Sequence, residues 1–135
     1  MKRVIIAIVM VIFLIILATA SDLIITKQMK AVYNETKNLI ENSESLSDKE
    51  IITQSKVIIK KWKKAEKPLH YFDSHDKYEE INKHFGLLEL NVKNGNADEV
   101  TKLIIEIRNL IGNYIENRRI NLHSILIVTK SYNNV

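Results

Sequence analysis

Four stretches of the chain carry apolar or small side chains at alternating intervals of three and four residues. This spacing lines the side chains along one face of an α-helix and is typical of helices that pack side by side around a shared core. No stretch shows the sustained alternation expected of a half-buried strand. The sequence therefore predicts an all-α domain, an antiparallel helical bundle or hairpin of about four helices. The four stripes are Ile25, Met29, Val32, Thr36 and Leu39; Ile51, Ser55, Ile58, Trp62, Ala65 and Leu69; Tyr78, Ile81, Phe85, Leu88 and Val92; and Val100, Ile104, Ile107, Ile111 and Tyr114.

The helix boundaries are marked by capping residues. With three Gly and one Pro in 135 residues, the chain has few places to turn, so the helices must be long. Ser47-Asp48-Lys49-Glu50 has the form of a capping box ahead of the second stripe, and residues 96–99 repeat the pattern ahead of the fourth. Asn94-Gly95 can supply the positive φ that ends one helix and turns the chain.

Two further residues bear on the second and third helices. Pro68 lies within the second stripe, so this helix is expected to stop at Lys67 or to kink there. Asp73-Ser74 can open the third helix. Trp62, the only tryptophan, lies on a stripe and is predicted to anchor the core.

The N-terminus reads as a membrane-targeting segment. Two basic residues, Lys2 and Arg3, precede an unbroken apolar run, Val4–Leu17, and the small residues Ala18-Thr19-Ala20 follow it. A helix over residues 4–25 would rise about 33 Å, enough to cross a hydrocarbon core of about 30 Å. The pattern predicts an uncleaved single-pass anchor, with Ser21 and Asp22 near the outer headgroups. Cleavage after Ala20 as a signal peptide, giving a secreted protein, is the alternative.

The chain is predicted to divide into a membrane anchor (residues 1–25), a helical domain (residues 26–128) and a frayed tail (residues 129–135). The first helix is expected to run out of the membrane without a break. Lys2 and Arg3 favour a cytoplasmic N-terminus, which places the domain outside the cytoplasm. The apolar stretch Ile120–Val128 is too short to span a membrane. It is expected to pack back on the domain; a partner-binding or membrane-dipping tail is the alternative.

The densest group of polar functional side chains lies around His75. His75 and Glu79 are four residues apart, so they share a helix face and could offer two metal ligands, with Asp76 or His70 completing a site. Acidic residues in a first helical turn also favour the helix dipole, and capping is the preferred interpretation. We therefore predict no metal, cofactor or catalytic residue, and keep His75, Asp76 and Glu79 as weak metal candidates.

A run of lysines marks the second helix. Residues 49–67 contain seven Lys against two Glu. These lysines either contact an anionic surface, such as lipid headgroups or cell-wall polyanions, or form an ordinary solvated helix face. Nucleic acid is not an expected partner, because no groove-reading or aromatic-interleaved motif is present. The candidate contact residues are Lys56, Lys60, Lys63, Lys64 and Lys67.

The chain resembles the DUF4363 family of small bacterial membrane proteins. The resemblance lies in the Met-Lys-Arg start with its apolar segment, the helix containing Trp62, the stretch from His75 to Ile81, and the closing residues 120–126. Members often carry Asp before the His, where this chain has Ser74. The resemblance implies one N-terminal anchor, a helical domain and a spore-forming Gram-positive source. It implies no established activity.

Together these features predict a membrane-anchored, extracytoplasmic interaction or accessory protein of a Gram-positive-type bacterium, without catalytic activity. Its expected partner is another membrane or envelope protein, or a second copy, which would cover apolar stripe surface left over by one domain. The alternatives are a ligand-sensing helical module, secreted or anchored, and a metal-binding protein centred on His75 and Glu79.

Overall fold

In the computed structural model of the chain, residues 1–132 form four α-helices joined by short turns, and no strand occurs among them. Helix α1 spans Lys2–Asn42, α2 spans Asp48–Phe72, α3 spans His75–Lys93 and α4 spans Ala97–Tyr132. The structure describes the backbone of residues 1–132 and their side chains, except those of 121–126, 128, 129 and 132. The all-α class and the four helices are confirmed.

The core is built from the four predicted stripes. Every one of their residues is buried, including the two polar ones. The Thr36 hydroxyl donates to the Tyr33 carbonyl at 2.6 Å, and the Ser55 hydroxyl donates to the Ile51 carbonyl at 2.7 Å, so neither buried hydroxyl lacks a partner. No stripe surface is left over for a partner, and in this respect the prediction was wrong.

Trp62 anchors the core as expected. Its ring is buried and stacks on Phe85, with the two planes nearly parallel and the ring centroids 4.7 Å apart. Its indole Nε1 donates a hydrogen bond to Asn82 Oδ1 at 3.3 Å. The residue therefore joins α2 to α3 through both its apolar ring and its one polar atom.

The predicted caps are present at the turns that follow α1 and α3. Ser47 and Glu50 form a capping box in which each side chain accepts the other's backbone amide at 3.3 Å. Asn96 Oδ1 accepts from the Glu99 amide at 3.4 Å, and Gly95 adopts φ +71°. We call residues 43–47 and 94–96 the distal turns.

Helix α2 does not stop at Lys67; it continues through Pro68 and ends at Phe72. Asp73 then adopts an extended backbone, and Ser74 stands at the N-terminus of α3 without a side-chain cap hydrogen bond. Asp73 is the C-cap residue of α2 and Ser74 the N-cap residue of α3, so the Asp73-Ser74 pair precedes α3 as predicted. The Asp73 side chain is used in the cluster described below.

Helix α1 is a single helix with two different halves. Residues 1–20 are all exposed, and the large apolar side chains from Val4 to Leu17 are 44% to 63% exposed. From Ser21 to Leu39 the same helix buries its stripe in the core. Within the described residues, α1 is the one helix long and apolar enough to be a candidate membrane span, and an 18-residue window of it has a mean hydropathy of 3.1.

Helix α4 also runs on beyond the core. It continues without a break to Tyr132, so residues 129–132 of the predicted frayed tail are helical, and residues 133–135 lie outside the described part. Of the side chains in Ile120–Val128, the structure describes Ile120 and Ile127. Both are exposed, so the expectation that this stretch packs back on the domain is wrong at these two residues.

Candidate functional site

Four polar side chains from three parts of the chain meet where the buried half of α1 begins. Arg118 of α4 donates from Nη2 to Asp22 of α1, and from Nη1 to Asp73 Oδ2 at 3.0 Å. The same Nη1 donates to the Tyr114 hydroxyl at 2.8 Å, and that hydroxyl donates to Asp73. We call Asp22, Asp73, Tyr114 and Arg118 the polar clamp. It joins α1, the α2–α3 turn and α4.

Asp73 is the most enclosed acid of the clamp, with a side chain only 5% exposed. Its Oδ1 accepts the Ser74 amide at 2.9 Å and lies 3.3 Å from Lys77 Nζ. Burial acts to raise the pKa of this carboxyl. The hydrogen bonds from Tyr114 and Ser74 and the charge of Lys77 outweigh burial, so the pKa of Asp73 lies below its ordinary value. The carboxylate is charged and fully paired.

The other two central groups keep their protons. Burial raises the pKa of Tyr114, and the hydrogen bond to Asp73 raises it further. Burial opposes the charge of Arg118, but its hydrogen bonds to Asp22 and Tyr114 prevail and raise the pKa of the guanidinium. A neutral phenol and a permanent cation are donors, not bases or nucleophiles. The clamp is therefore equipped to hold helices together rather than to transfer protons.

A cleft of about 470 Å³ opens beside the clamp, between α3 and α4. Its polar walls include Lys77, Glu80, Asn113 and Asn117. Arg118 reaches this cleft, but its guanidinium already bonds to two carboxylates. The cationic group that would attract an anionic ligand here is thus occupied by the protein's own acids.

The predicted metal candidates are not brought together. His75 and Asp76 are exposed, and His75 packs edge-on against the Tyr78 ring, with centroids 5.3 Å apart. Glu79 pairs with Lys83 at 3.4 Å. In the part of the chain that the structure describes, no three His, Cys, Asp or Glu side chains are arranged to hold a metal ion.

The remaining members of the His75 group separate as well. His70 shares its Nδ1 with the Tyr78 hydroxyl at 2.9 Å and lies 3.3 Å from Glu66 through Nε2. His84 pairs with Glu106 of α4 at 3.1 Å, and Asp73 belongs to the clamp. Residues close in the sequence thus serve three separate helix contacts.

The lysines of α2 lie on its solvent side. Lys56, Lys60, Lys63, Lys64 and Lys67 are all exposed. Lys63 reaches Glu89 at 2.8 Å, and the half-buried Lys61 reaches Glu35 at 2.5 Å. Among the described residues, the other four exposed lysines have no carboxylate within 4.0 Å.

The clamp was not anticipated from the sequence. Asp22 was interpreted as a headgroup-level charge, Asp73 as a helix start and Tyr114 as a core residue, and Arg118 carried no pattern. One signal was available: Tyr114 and Arg118 are four residues apart, so their side chains share a face of α4. Their acidic partners lie 41 to 96 positions away, beyond any local pattern.

Comparison of the chain with protein-family models, curated proteins and solved structures finds no match in any of the three. The resemblance to DUF4363 therefore stays a prediction.

Proposed function

We propose that the chain is a single-pass membrane protein whose four-helix domain lies outside the cytoplasm and binds another membrane or envelope protein. The observation that carries the proposal is the division within α1. Its first twenty residues are exposed along their whole length, whereas the following turns are buried in the core. Uncovered side chains such as Ile12 and Phe13 need an apolar environment, and a bilayer supplies it.

The continuity of α1 ties the domain to the membrane. No turn separates the exposed residues 1–20 from the buried stripe that starts at Ile25. Because α1 is one continuous helix, the domain is joined to the anchor rigidly and not through a flexible linker. Lys2 and Arg3 favour retention of the N-terminus in the cytoplasm.

The contacts support an antiparallel arrangement of the helices. Asp22 and Tyr33 of α1 lie against Arg118 and Gly112 of α4, so one helix ascends as the other descends. On α2 and α3, His70 meets Tyr78, and the earlier Trp62 meets the later Phe85. We propose a four-helix antiparallel bundle as the unit that presents the binding surface.

The face that best suits a partner lies between α2 and α3. A groove of about 560 Å³ there is lined by the exposed Leu90, with Lys56, Glu89 and Lys93 around it. An apolar centre with a charged rim is the usual composition of a protein contact. We assign the partner contact to this groove because the residues of the four stripes are buried within the domain.

Intact mass and topology test the anchor. The chain has no cysteine, so a single Cys reports its own position without background. We expect the protein to be recovered from membranes with all 135 residues. Lys102→Cys, outside the groove, should react with a membrane-impermeant maleimide on intact cells, and Lys2→Cys only after lysis. A chain that begins at Ser21 contradicts the anchor, and the reverse labelling pattern contradicts the proposed orientation.

A photo-crosslinking residue tests the partner surface. Placed at Leu90 in the native host, it should capture one membrane or envelope protein, whereas the same residue at the exposed Lys102 of α4 should not. Capture of a second copy of this chain would identify self-association instead. Equal capture from both positions would show that the groove is not the contact.

A further inference from the structure

Exposed apolar side chains gather at the end of the domain that carries the polar clamp. Tyr71 and Phe72, immediately before Asp73, are 84% and 51% exposed. Leu23 and Ile24 follow Asp22 and are also exposed, as is Ile120 two residues after Arg118. Since Arg118 contacts both Asp22 and Asp73, these five side chains belong to one end of the molecule.

Helix α4 passes this end and continues in the direction of the N-terminal half of α1, whose residues 1–20 remain exposed. Gly112 lies against Tyr33, and Arg118 lies against Asp22, so α4 advances toward the N-terminus of α1. The helix does not end at Arg118 but reaches Tyr132. Its last 14 residues extend about 20 Å beyond the clamp at 1.5 Å per residue. The exposed Ile127 lies in this extension.

From these observations we infer that the clamp end docks on the outer leaflet of the membrane. Tyr71 and Phe72 occupy the headgroup layer, and the extension of α4 beyond Arg118 contacts the acyl chains beside α1. The inference rests on the proposed anchor, because the anchor fixes the height of the clamp. If residues 4–25 cross the membrane, Asp22 lies at the outer surface. The exposed side chains within a helical turn of Asp22, such as Leu23 and Ile24, then meet lipid.

The chemistry of this end suits a lipid surface better than a second copy of the chain. Aromatic side chains with one apolar and one polar side, such as Tyr71, are enriched where headgroups meet hydrocarbon. Basic residues flank the patch: Lys67 lies one turn before Tyr71, and Arg119 follows Arg118, and both are exposed. Cations at this height attract anionic headgroups. Lys130 lies 12 residues beyond Arg118, or about 18 Å at 1.5 Å per residue, so the extension lies obliquely in the interface, where this long side chain reaches the headgroups.

At the membrane surface the polar clamp would pair polar groups that water no longer reaches. Near the hydrocarbon, water no longer satisfies polar groups, so carboxylates and guanidinium must satisfy one another. Asp22 and Asp73 bond to the two terminal nitrogens of Arg118, while the buried Arg118 Nε has no partner among the described residues. The clamp thus allows a charged helix end to be lowered onto lipid.

Spin-label depth measurements test the inference on the full chain in vesicles of phosphatidylglycerol and phosphatidylcholine. Single Cys residues at Ile12, Phe72, Ile127 and Leu90 carry the nitroxide. Ile127 and Leu90 form a matched pair, since they are 56% and 55% exposed. We expect the Ile12 and Ile127 labels to be accessible to oxygen and shielded from a water-soluble nickel complex. The Phe72 label should be intermediate, and the Leu90 label open to nickel.

The outcomes separate this inference from the proposed anchor. If Ile12 lies in lipid while Phe72 and Ile127 are as open to nickel as Leu90, the anchor stands and the docking is overturned. If Ile12 is open to nickel while Phe72 and Ile127 are shielded, the anchor falls and the docking is supported. Spin–spin broadening between Phe72 labels of neighbouring copies, with shielding that disappears on dilution in excess lipid, would assign the patch to a dimer and overturn lipid docking.

A paired substitution adds a second readout. Tyr71→Ser combined with Phe72→Ser should increase nickel access to the Ile127 label severalfold, because the helix end loses its hold in the headgroups. Leu87→Ser with Leu90→Ser removes two exposed leucines elsewhere and should leave that access unchanged. A Tyr71/Phe72 variant that folds normally by circular dichroism and keeps the Ile127 label shielded overturns the role of the aromatic pair.

Discussion

The two ends of the helical domain are closed by different means. At the distal turns the capping groups come from within a few residues: Ser47 and Glu50 cap α2, and Gly95 turns the chain into α4. At the clamp end the groups come from three separate parts of the chain, held by Arg118. Local caps suffice where water can satisfy the remaining backbone groups. The clamp end has a long-range network instead, which suits the proposed position at the membrane surface, where water is scarce.

The clamp is balanced in charge, which distinguishes it from a ligand site. Asp22 and Asp73 oppose Arg118, and Lys77 supplies the second positive charge. Removing Arg118 leaves both carboxylates without their shared cation, and that is costlier than losing a capping bond. The comparison of the two ends therefore predicts a graded series of effects on stability.

The largest effect is expected for Arg118→Met. This change keeps the length of the side chain but leaves Asp22 and Asp73 close together without their shared cation. We expect a loss of about 3 kcal/mol in the free energy of unfolding, the scale for removing one partner of an enclosed ion pair. Urea unfolding of the full chain in detergent micelles, followed by circular dichroism, measures it.

Arg119→Met is the matched control for this variant. Arg119 is the next residue on the same helix but is exposed and outside the clamp. Its replacement should change the free energy of unfolding by no more than about 0.5 kcal/mol. Equal effects of the two substitutions would mean that the clamp contributes nothing specific.

Asp73→Asn is expected to be the next most damaging change, at about 2 kcal/mol near neutral pH, because the amide loses the charge that Arg118 and Lys77 face. The folded-state pKa of Asp73 is lowered, so its contribution is fully present above the ordinary pKa of 3.8 and is lost as the pH falls through the folded value. The difference in the free energy of unfolding between the unmodified protein and the Asp73→Asn variant should be constant from neutral pH down to about 5. It should begin to narrow below about 4 and disappear below the folded-state pKa of Asp73.

Unfolding titrations at a series of pH values check this expectation. Asp76→Asn provides the control, since Asp76 is an exposed acid one turn away and takes no part in the ion pairs of the clamp. A gap that persists unchanged into acid would show that Asp73 acts through its shape rather than its charge.

The features of the distal turns could be predicted from the sequence because they are local, whereas the contacts of the clamp could not. The 3–4 spacing placed residues such as Ile25, Trp62 and Ile107 in the core, since burial on a helix follows a local period. The capping box at Ser47 was equally local. The Asp73-Ser74 pair precedes α3 as predicted, but no local pattern reveals the remote partners of Asp73, which are Tyr114 and Arg118. Helix α2 also continues through Pro68 to Phe72, and Leu69, the last residue of the predicted second stripe, is fully buried there.

At the distal turns the largest effect is expected for Gly95→Ala. Gly95 holds φ at +71°, where a Cβ costs about 1 to 2 kcal/mol. No neighbouring atom lies within 4 Å of the position that the new Cβ would take, so the loss comes from the backbone alone. The control is Gly86→Ala, inside α3 with equally open space, which should stabilise the protein by about 0.5 to 1 kcal/mol. Thermal unfolding of both variants should move the midpoints in opposite directions, and a common direction would contradict the assignment of strain to Gly95.

The smallest effects are expected for serine substitutions at the helix N-termini, one at each end of the domain. Ser47 and Ser74 both stand at helix N-termini, but only the Ser47 side chain accepts a capping hydrogen bond. Ser47→Ala should therefore cost about 1 kcal/mol, and Ser74→Ala should cost only a few tenths of that. The reason lies in the clamp: the Ser74 amide already donates to Asp73, so the start of α3 is held by the carboxylate that Arg118 fixes. In the Asp73→Asn background this dependence becomes measurable, because weakening the carboxylate should make the Ser74 hydroxyl more important. If Ser74→Ala costs as little there as in the unmodified chain, the start of α3 is independent of the clamp, and the two ends of the domain are closed in the same local way.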